Sequence, residues 1–161
     1  FLSIIFLFNF FNRIYLGDAG SYLVSFLTAF FILDFYLQNT DSEIEIYNVS
    51  PYFICLLLWY PAFENLFSIL RRVFSDNKVD EADQNHLHQM IYNYFINKKN
   101  IKIRYVNTLV ANLINIYNFI IFKFFYKFFF NTKIIIFATM FNILIYLIIY
   151  FFMKYKINQY K

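Results

Sequence analysis

Two polar segments interrupt an otherwise apolar chain, and both carry residue types suited to phosphate chemistry. The first is Asn12-Arg13-Ile14-Tyr15-Leu16-Gly17-Asp18-Ala19-Gly20-Ser21, which holds both glycines of the sequence. Glycine adopts backbone angles that other residues resist and lets a ligand approach the main chain. Asp18 between the glycines supplies a hard oxygen ligand of the kind Mg²⁺ takes. Ser21 is placed to cap a following helix, whose N-terminus favours an anion. An ordinary tight turn with a capping residue accounts for the same residues equally well. The second segment is Asp80-Glu81-Ala82-Asp83-Gln84-Asn85-His86-Leu87-His88-Gln89, where the chain's only two histidines stand at i and i+2 beside three carboxylates. The pair Arg71-Arg72 precedes it. Histidine can bind metal, donate to phosphate or move protons near neutral pH, and arginine grips phosphate oxygens in a fork. An HxH pair alone is a weak metal signal, and a closed zinc site lacks support, since no cysteine and no third histidine stand near it.

The elements that must position these residues are membrane helices. Of the 161 residues, 61% are hydrophobic and 15% charged, against about 45–50% and about 25% in a soluble domain. That hydrophobicity excludes intrinsic disorder. A single cysteine, Cys55, within an apolar run excludes a disulfide scaffold, and 2 Gly with 2 Pro exclude a collagen-like or linker protein. The expected fold class is all-α: a polytopic transmembrane helical bundle forming one integral-membrane domain over residues 1–161. A bilayer core of about 30 Å needs about 20 apolar residues as a helix, and an open sheet edge has no partners in lipid. Residues 21–37, 51–70, 105–125 and 133–153 read as about four full helices, and residues 1–11 as the truncated end of an earlier one. The chain starts inside that apolar run with no basic region before it, so the expectation is the C-terminal part of a longer protein rather than a signal peptide.

Loop charge sets the expected orientation. The loop 38–50 carries Asp41, Glu43 and Glu45 and no Lys or Arg, which makes it periplasmic. The loop 71–104, the tail and the connection 12–20 hold most of the 14 Lys and Arg and face the cytoplasm. The net charge of +4 is therefore read as topology rather than as affinity for nucleic acid. Lys123, Lys127 and Lys133 at the other face can snorkel. Pro61 interrupts the third helix and should kink it. Glu64 follows, two turns before Arg71. It reads either as an interfacial carboxylate near Arg71 or Arg72, or as a functional group at membrane depth. Asp34 reads as interfacial. The two polar segments thus share one membrane face, one offering a carboxylate for a divalent cation and the other cations for anions. That pairing suits a phosphorylated substrate with Mg²⁺ at the inner surface.

These residues resemble a known family. Tyr15-Leu16-Gly17-Asp18-Ala19-Gly20-Ser21 resembles the F-x-G-D-x-G-S motif of the polyprenyl-phosphate N-acetylhexosamine-1-phosphate transferases (glycosyl transferase family 4). The run from Pro61 to Arg72 resembles the P-x-x-[DE]-x-L-x-x-I-x-R-R of that family, and Asp83-Gln84-Asn85-His86-Leu87-His88 its D-x-x-H-L-H loop. The motifs occur in the family's order from about Tyr15 to Tyr92. The resemblance implies transfer of an N-acetylated amino sugar 1-phosphate, by default GlcNAc-1-phosphate, from a UDP-sugar to undecaprenyl phosphate. UMP would leave, and the lipid-linked product would initiate a cell-envelope polysaccharide such as an O-antigen. It implies a multi-pass protein of the bacterial cytoplasmic membrane with its active site on the cytoplasmic face. By the same resemblance Asp18 binds Mg²⁺ (or Mn²⁺), Tyr15 stacks on uracil, His86 and His88 handle the diphosphate and sugar, and Arg71 and Arg72 contact phosphate. The lipid bilayer, a UDP-N-acetyl amino sugar and undecaprenyl phosphate are the expected partners, with a homodimer left open.

Two departures stand in the sequence. Gln89 occupies the place where many relatives carry a further histidine. The upstream D-D-x-x-D and N-x-x-N-x-x-D-G motifs do not occur within these residues, so the segment alone is expected to be inactive. The competing reading is a membrane transporter or channel fragment, suggested by Pro61, Glu64 and Asp34 within apolar segments.

Overall fold

The computed structural model describes residues 4–5, 7–8, 11, 13–14, 17–39, 48–74, 85–97 and 103–159. Among them it is all-α, with no strand. The helices are α1 (Gly17–Gln38), α2 (Pro51–Leu57), α3 (Trp59–Phe74), α4 (Leu87–Asn97), α5 (Ile103–Phe125) and α6 (Thr132–Asn158). Three helices, α1, α5 with its 3₁₀ extension to Phe128, and α6, are long and apolar enough to cross a membrane, and the bent pair α2–α3 makes a fourth if it counts as one span. These lengths and compositions describe a multi-pass membrane protein. The helix ending the expected residues 1–11 and the acidic loop residues Asp41, Glu43 and Glu45 fall largely or wholly outside the described residues.

α5 and α6 form an antiparallel hairpin through a short turn. Asn131 caps α6, its side chain accepting from the Ile134 N–H. The start of α2 is pinned to that turn: Ser50 N–H donates to the Phe129 carbonyl at 3.0 Å, and the Thr132 hydroxyl donates to Ser50 Oγ at 3.0 Å. Pro51 opens α2, where its missing N–H would have had no helical partner. Val49, Phe53, Leu56, Ile135 and Ala138 bury one core beside this clasp. The opposite end of the bundle carries the start of α5 and the last turns of α3 and α6.

The expected kinked helix 51–70 is two helices bent by 74°. The break falls at Leu58 rather than at Pro61. Pro61 cannot donate to the carbonyl of Leu57, four residues earlier, and its ring crowds that carbonyl. The chain therefore turns just before, and Pro61 rides in the first turn of α3, where no donor is required.

The polar segment 71–104 is not all loop. α3 continues to Phe74, and α4 packs against both α5 and α6. α4 buries Leu87 and Met90 in a second core with Trp59, Tyr146 and Tyr150. Buried polar side chains also join the helices. Trp59 Nε1 donates to Asn118 Oδ1 at 2.9 Å. The Tyr117 hydroxyl donates to fully buried Asn142, whose amide donates to the Ala138 carbonyl.

Candidate functional site

Helix α1 begins four residues earlier than the apolar run indicates, and this changes the setting of the first motif. Gly17 has φ +67°, a left-handed angle that β-carbon-bearing residues resist. Ser21 therefore lies inside the helix. It is not the cap: its hydroxyl donates back to the Gly17 carbonyl at 2.8 Å. Asp18 occupies the first turn, exposed, where the helix dipole favours a carboxylate. Tyr15 lies outside the described residues.

Asp18 stands at the same end of the bundle as the histidines. At the far end of α1, Asn39 accepts from the Val49 N–H beside the Ser50 clasp, so α1 starts at the opposite end. Just before it, Phe11 and Arg13 line a cavity with Tyr105, near the start of α5. Among the described residues no group of three or more His, Cys, Asp or Glu is close enough to hold a metal ion. Asp18 is thus not assembled with His86 and His88 into a protein-only metal cage. A lone exposed carboxylate does fit Mg²⁺, which takes one or two protein carboxylates and completes its shell with water and substrate phosphates.

The second and third motifs do converge. Seven residues apart on α3, Glu64 and Arg71 face the segment that opens α4. Glu64 is buried, 7% exposed, and its carboxylate meets three polar groups from two other elements. Oε1 takes His86 Nδ1 at 3.1 Å and the Leu87 N–H at 2.8 Å. Oε2 takes the Tyr146 hydroxyl at 2.8 Å. Leu87 is the first residue of α4, so Glu64 satisfies one of that helix's orphan N–H groups from outside the helix and meets its dipole. A buried carboxylate is tolerated because it is so bonded. The pairing corrects the sequence-based partner: Glu64 lies against His86, not against Arg71 or Arg72.

Arg71 reaches past Glu64. Its Nη1 donates to the Asn85 carbonyl at 2.9 Å and to the Tyr150 hydroxyl at 2.9 Å, and its guanidinium sits 5.8 Å from the Phe67 ring centre and 5.6 Å from that of Tyr150. Phe63, Phe67 and Arg71 recur every fourth residue on α3 and meet Tyr146 and Tyr150, also four apart, on α6. Phe63–Tyr146 and Phe67–Tyr150 are edge-to-face at 5.1 and 4.9 Å, each such pair contributing about 0.5–1.5 kcal/mol. The His86 and His88 rings stack at 5.6 Å. Partial burial of the otherwise exposed His88 holds its pKa below the usual histidine value; neighbouring His86 adds to the shift and Glu64 opposes it. Arg72, half-buried, lies one residue on.

The site therefore contains Glu64, Tyr146 and Tyr150, which the sequence reading did not assign to it. Glu64 carried a signal as an ionisable residue in an apolar helix. The tyrosines carried only their spacing of four. Comparison with known proteins finds no matching family model, no matching curated protein and no matching solved structure.

Proposed function

We propose that the chain is the C-terminal, nucleotide-diphosphate-handling part of a polyprenyl-phosphate N-acetylhexosamine-1-phosphate transferase in the bacterial cytoplasmic membrane, working on the cytoplasmic face. It would pass an amino sugar 1-phosphate, GlcNAc-1-phosphate by default, from a UDP-sugar to undecaprenyl phosphate and release UMP. The observation that carries this reading is the joining of two motifs distant in sequence: Glu64 and Arg71 of the P-x-x-E-x-L-x-x-I-x-R-R helix hold His86 and Asn85 of the H-L-H segment. An arginine-histidine surface is thereby built at the bundle end where Asp18 stands. Bound Mg²⁺ would neutralise charge on the diphosphate, with Asp18 as its protein ligand. Arg72, His86 and His88 would contact phosphate and sugar oxygens, while Arg71 also holds the segment in place. An apolar cavity of about 180 Å³, lined by Trp59, Leu87, Ile91, Leu113 and Tyr146 among others, lies alongside and suits part of a hydrocarbon chain.

Membranes containing the chain together with its upstream sequence should release UMP from UDP-GlcNAc when supplied with undecaprenyl phosphate and Mg²⁺. Asp18→Asn should abolish release, because the neutral amide is a poor Mg²⁺ ligand. Undiminished release by Asp18→Asn would refute the role given to Asp18. The 74° break at Leu58 favours a transporter as second reading, since broken helices line transport sites. Solute uptake that survives loss of Asp18, Arg71, His86 and His88 would support that reading instead.

A further inference from the structure

We propose that Glu64 is a positioning residue that fixes the tautomer and aim of His86, so that His86 presents Nε2, not Nδ1, as its basic nitrogen. Both oxygens of Glu64 already act as acceptors, from the Leu87 N–H and the Tyr146 hydroxyl, and a carboxylate in that role takes a further partner as a donor. His86 Nδ1 meets Oε1 at 3.1 Å and therefore carries the hydrogen. In the neutral ring the lone pair is then on Nε2, at the far side from Glu64.

The carboxylate cannot easily turn away from this task. Oε1 is also held by the Leu87 N–H, and Oε2 by the Tyr146 hydroxyl from α6. The His86 backbone is fixed as well, since its carbonyl accepts from the Met90 N–H at 3.0 Å in the first turn of α4. Main chain and ring of His86 are thus both tied, and Glu64 is the group common to α3, α4 and α6. A carboxylate behind a metal-ligating histidine sets orientation in the same way, and its loss there costs about 10- to 100-fold in metal affinity or activity. The proposed tautomer rests on the contacts of Glu64; its effect on turnover rests on the transferase reading.

The test uses the full chain in membranes or micelles with ¹⁵N-labelled histidine, of which there are two; His88→Gln assigns the His86 signals. Above the histidine titration range, His86 should show a protonated Nδ1 and an unprotonated Nε2, and Glu64→Ala should return it to the Nε2–H form that free imidazole side chains favour. Tyr146→Phe removes a donor to Glu64 but leaves the His86 contact, so it should keep the native tautomer. An Nε2–H tautomer in the native protein overturns the proposal, and that spectrum decides even where Glu64→Ala does not fold. Persistence of Nδ1–H in folded Glu64→Ala also overturns it. In transfer assays Glu64→Ala should lower kcat by about 10-fold or more, with Glu64→Asp recovering part of the loss. Full kcat in a variant whose tautomer has changed overturns the positioning role. Absence of transfer in the native protein would instead count against the transferase reading and leave the spectroscopic result standing.

Discussion

Arg71 shows how a charged side chain on one helix can tie two other elements together. Its guanidinium ties the Asn85 carbonyl and the Tyr150 hydroxyl, so it staples the segment before α4 to α6. Hydrogen bonds to charged groups contribute about 1.5–3 kcal/mol each before solvent screening, and Arg71 is only half-buried. Arg71→Ala is therefore expected to cost about 1–3 kcal/mol and to speed amide exchange at Leu87 through Met90, measured by hydrogen–deuterium exchange. Unchanged protection there would contradict the stapling role. His88 makes a prediction about acidity. Its pKa in the folded protein lies below the usual value, mainly through desolvation. The unfolded chain thus binds its proton more readily. Stability should be complete above the ordinary histidine pKa of about 6.5 and fall as pH drops through and below it, and His88→Gln should flatten that fall in thermal scans. Asp18, Arg71, Arg72, His86 and His88 were all legible as residue types in the sequence. The Glu64–His86 pairing was not, because an arginine two turns away on the same helix was the nearer partner in sequence. Only the fold reveals that the arginine reaches on to α6.

The long apolar helices were legible because their length and hydropathy allow little else. α4 was not. It has 11 residues, too short to span, and lies in a segment dominated by charge, although Leu87, Met90, Ile91 and Tyr94 follow helical spacing. The early start of α1 was hidden by two glycines, ordinarily helix-weakening, of which Gly17 supplies the left-handed angle that opens the helix. The break at Leu58 was placed three residues late, because the proline acts on the carbonyl before it rather than on its own position. Between elements, cohesion cannot rest on the hydrophobic effect where lipid is as apolar as the core. Interhelical polar contacts and ring packing must carry it. Asn142, fully buried and bonded to Tyr117 of α5, is the clearest case. Asn142→Leu leaves the Tyr117 hydroxyl without that acceptor and should destabilise the α5–α6 pairing by about 1–2 kcal/mol, read from unfolding in mixed micelles. Tyr117→Phe combined with it should recover part of the loss.

Over the described residues the protein is an apolar helical bundle with its candidate site residues gathered at one end. The Ser50 end is a tight clasp of turn and helix start; the other end carries Asp18, Arg71, Arg72, His86 and His88. Charge in the sequence predicts that the latter end faces the cytoplasm. Cysteines placed at Asp18 and His88 in a Cys55→Ser background should therefore resist membrane-impermeant thiol reagents in intact cells and react after lysis. Reaction of either in intact cells would invert the topology. The proposed transferase would break the bond between the two phosphates of a UDP-sugar, with the sugar-bearing phosphate moving to lipid. UDP-GlcNAc labelled in that phosphate tests it directly, in membranes holding the chain with its upstream sequence. The proposed transfer should carry the label into the organic-extractable lipid and release unlabelled UMP. Label retained in the nucleotide, as UDP, or no lipid product at all would contradict it.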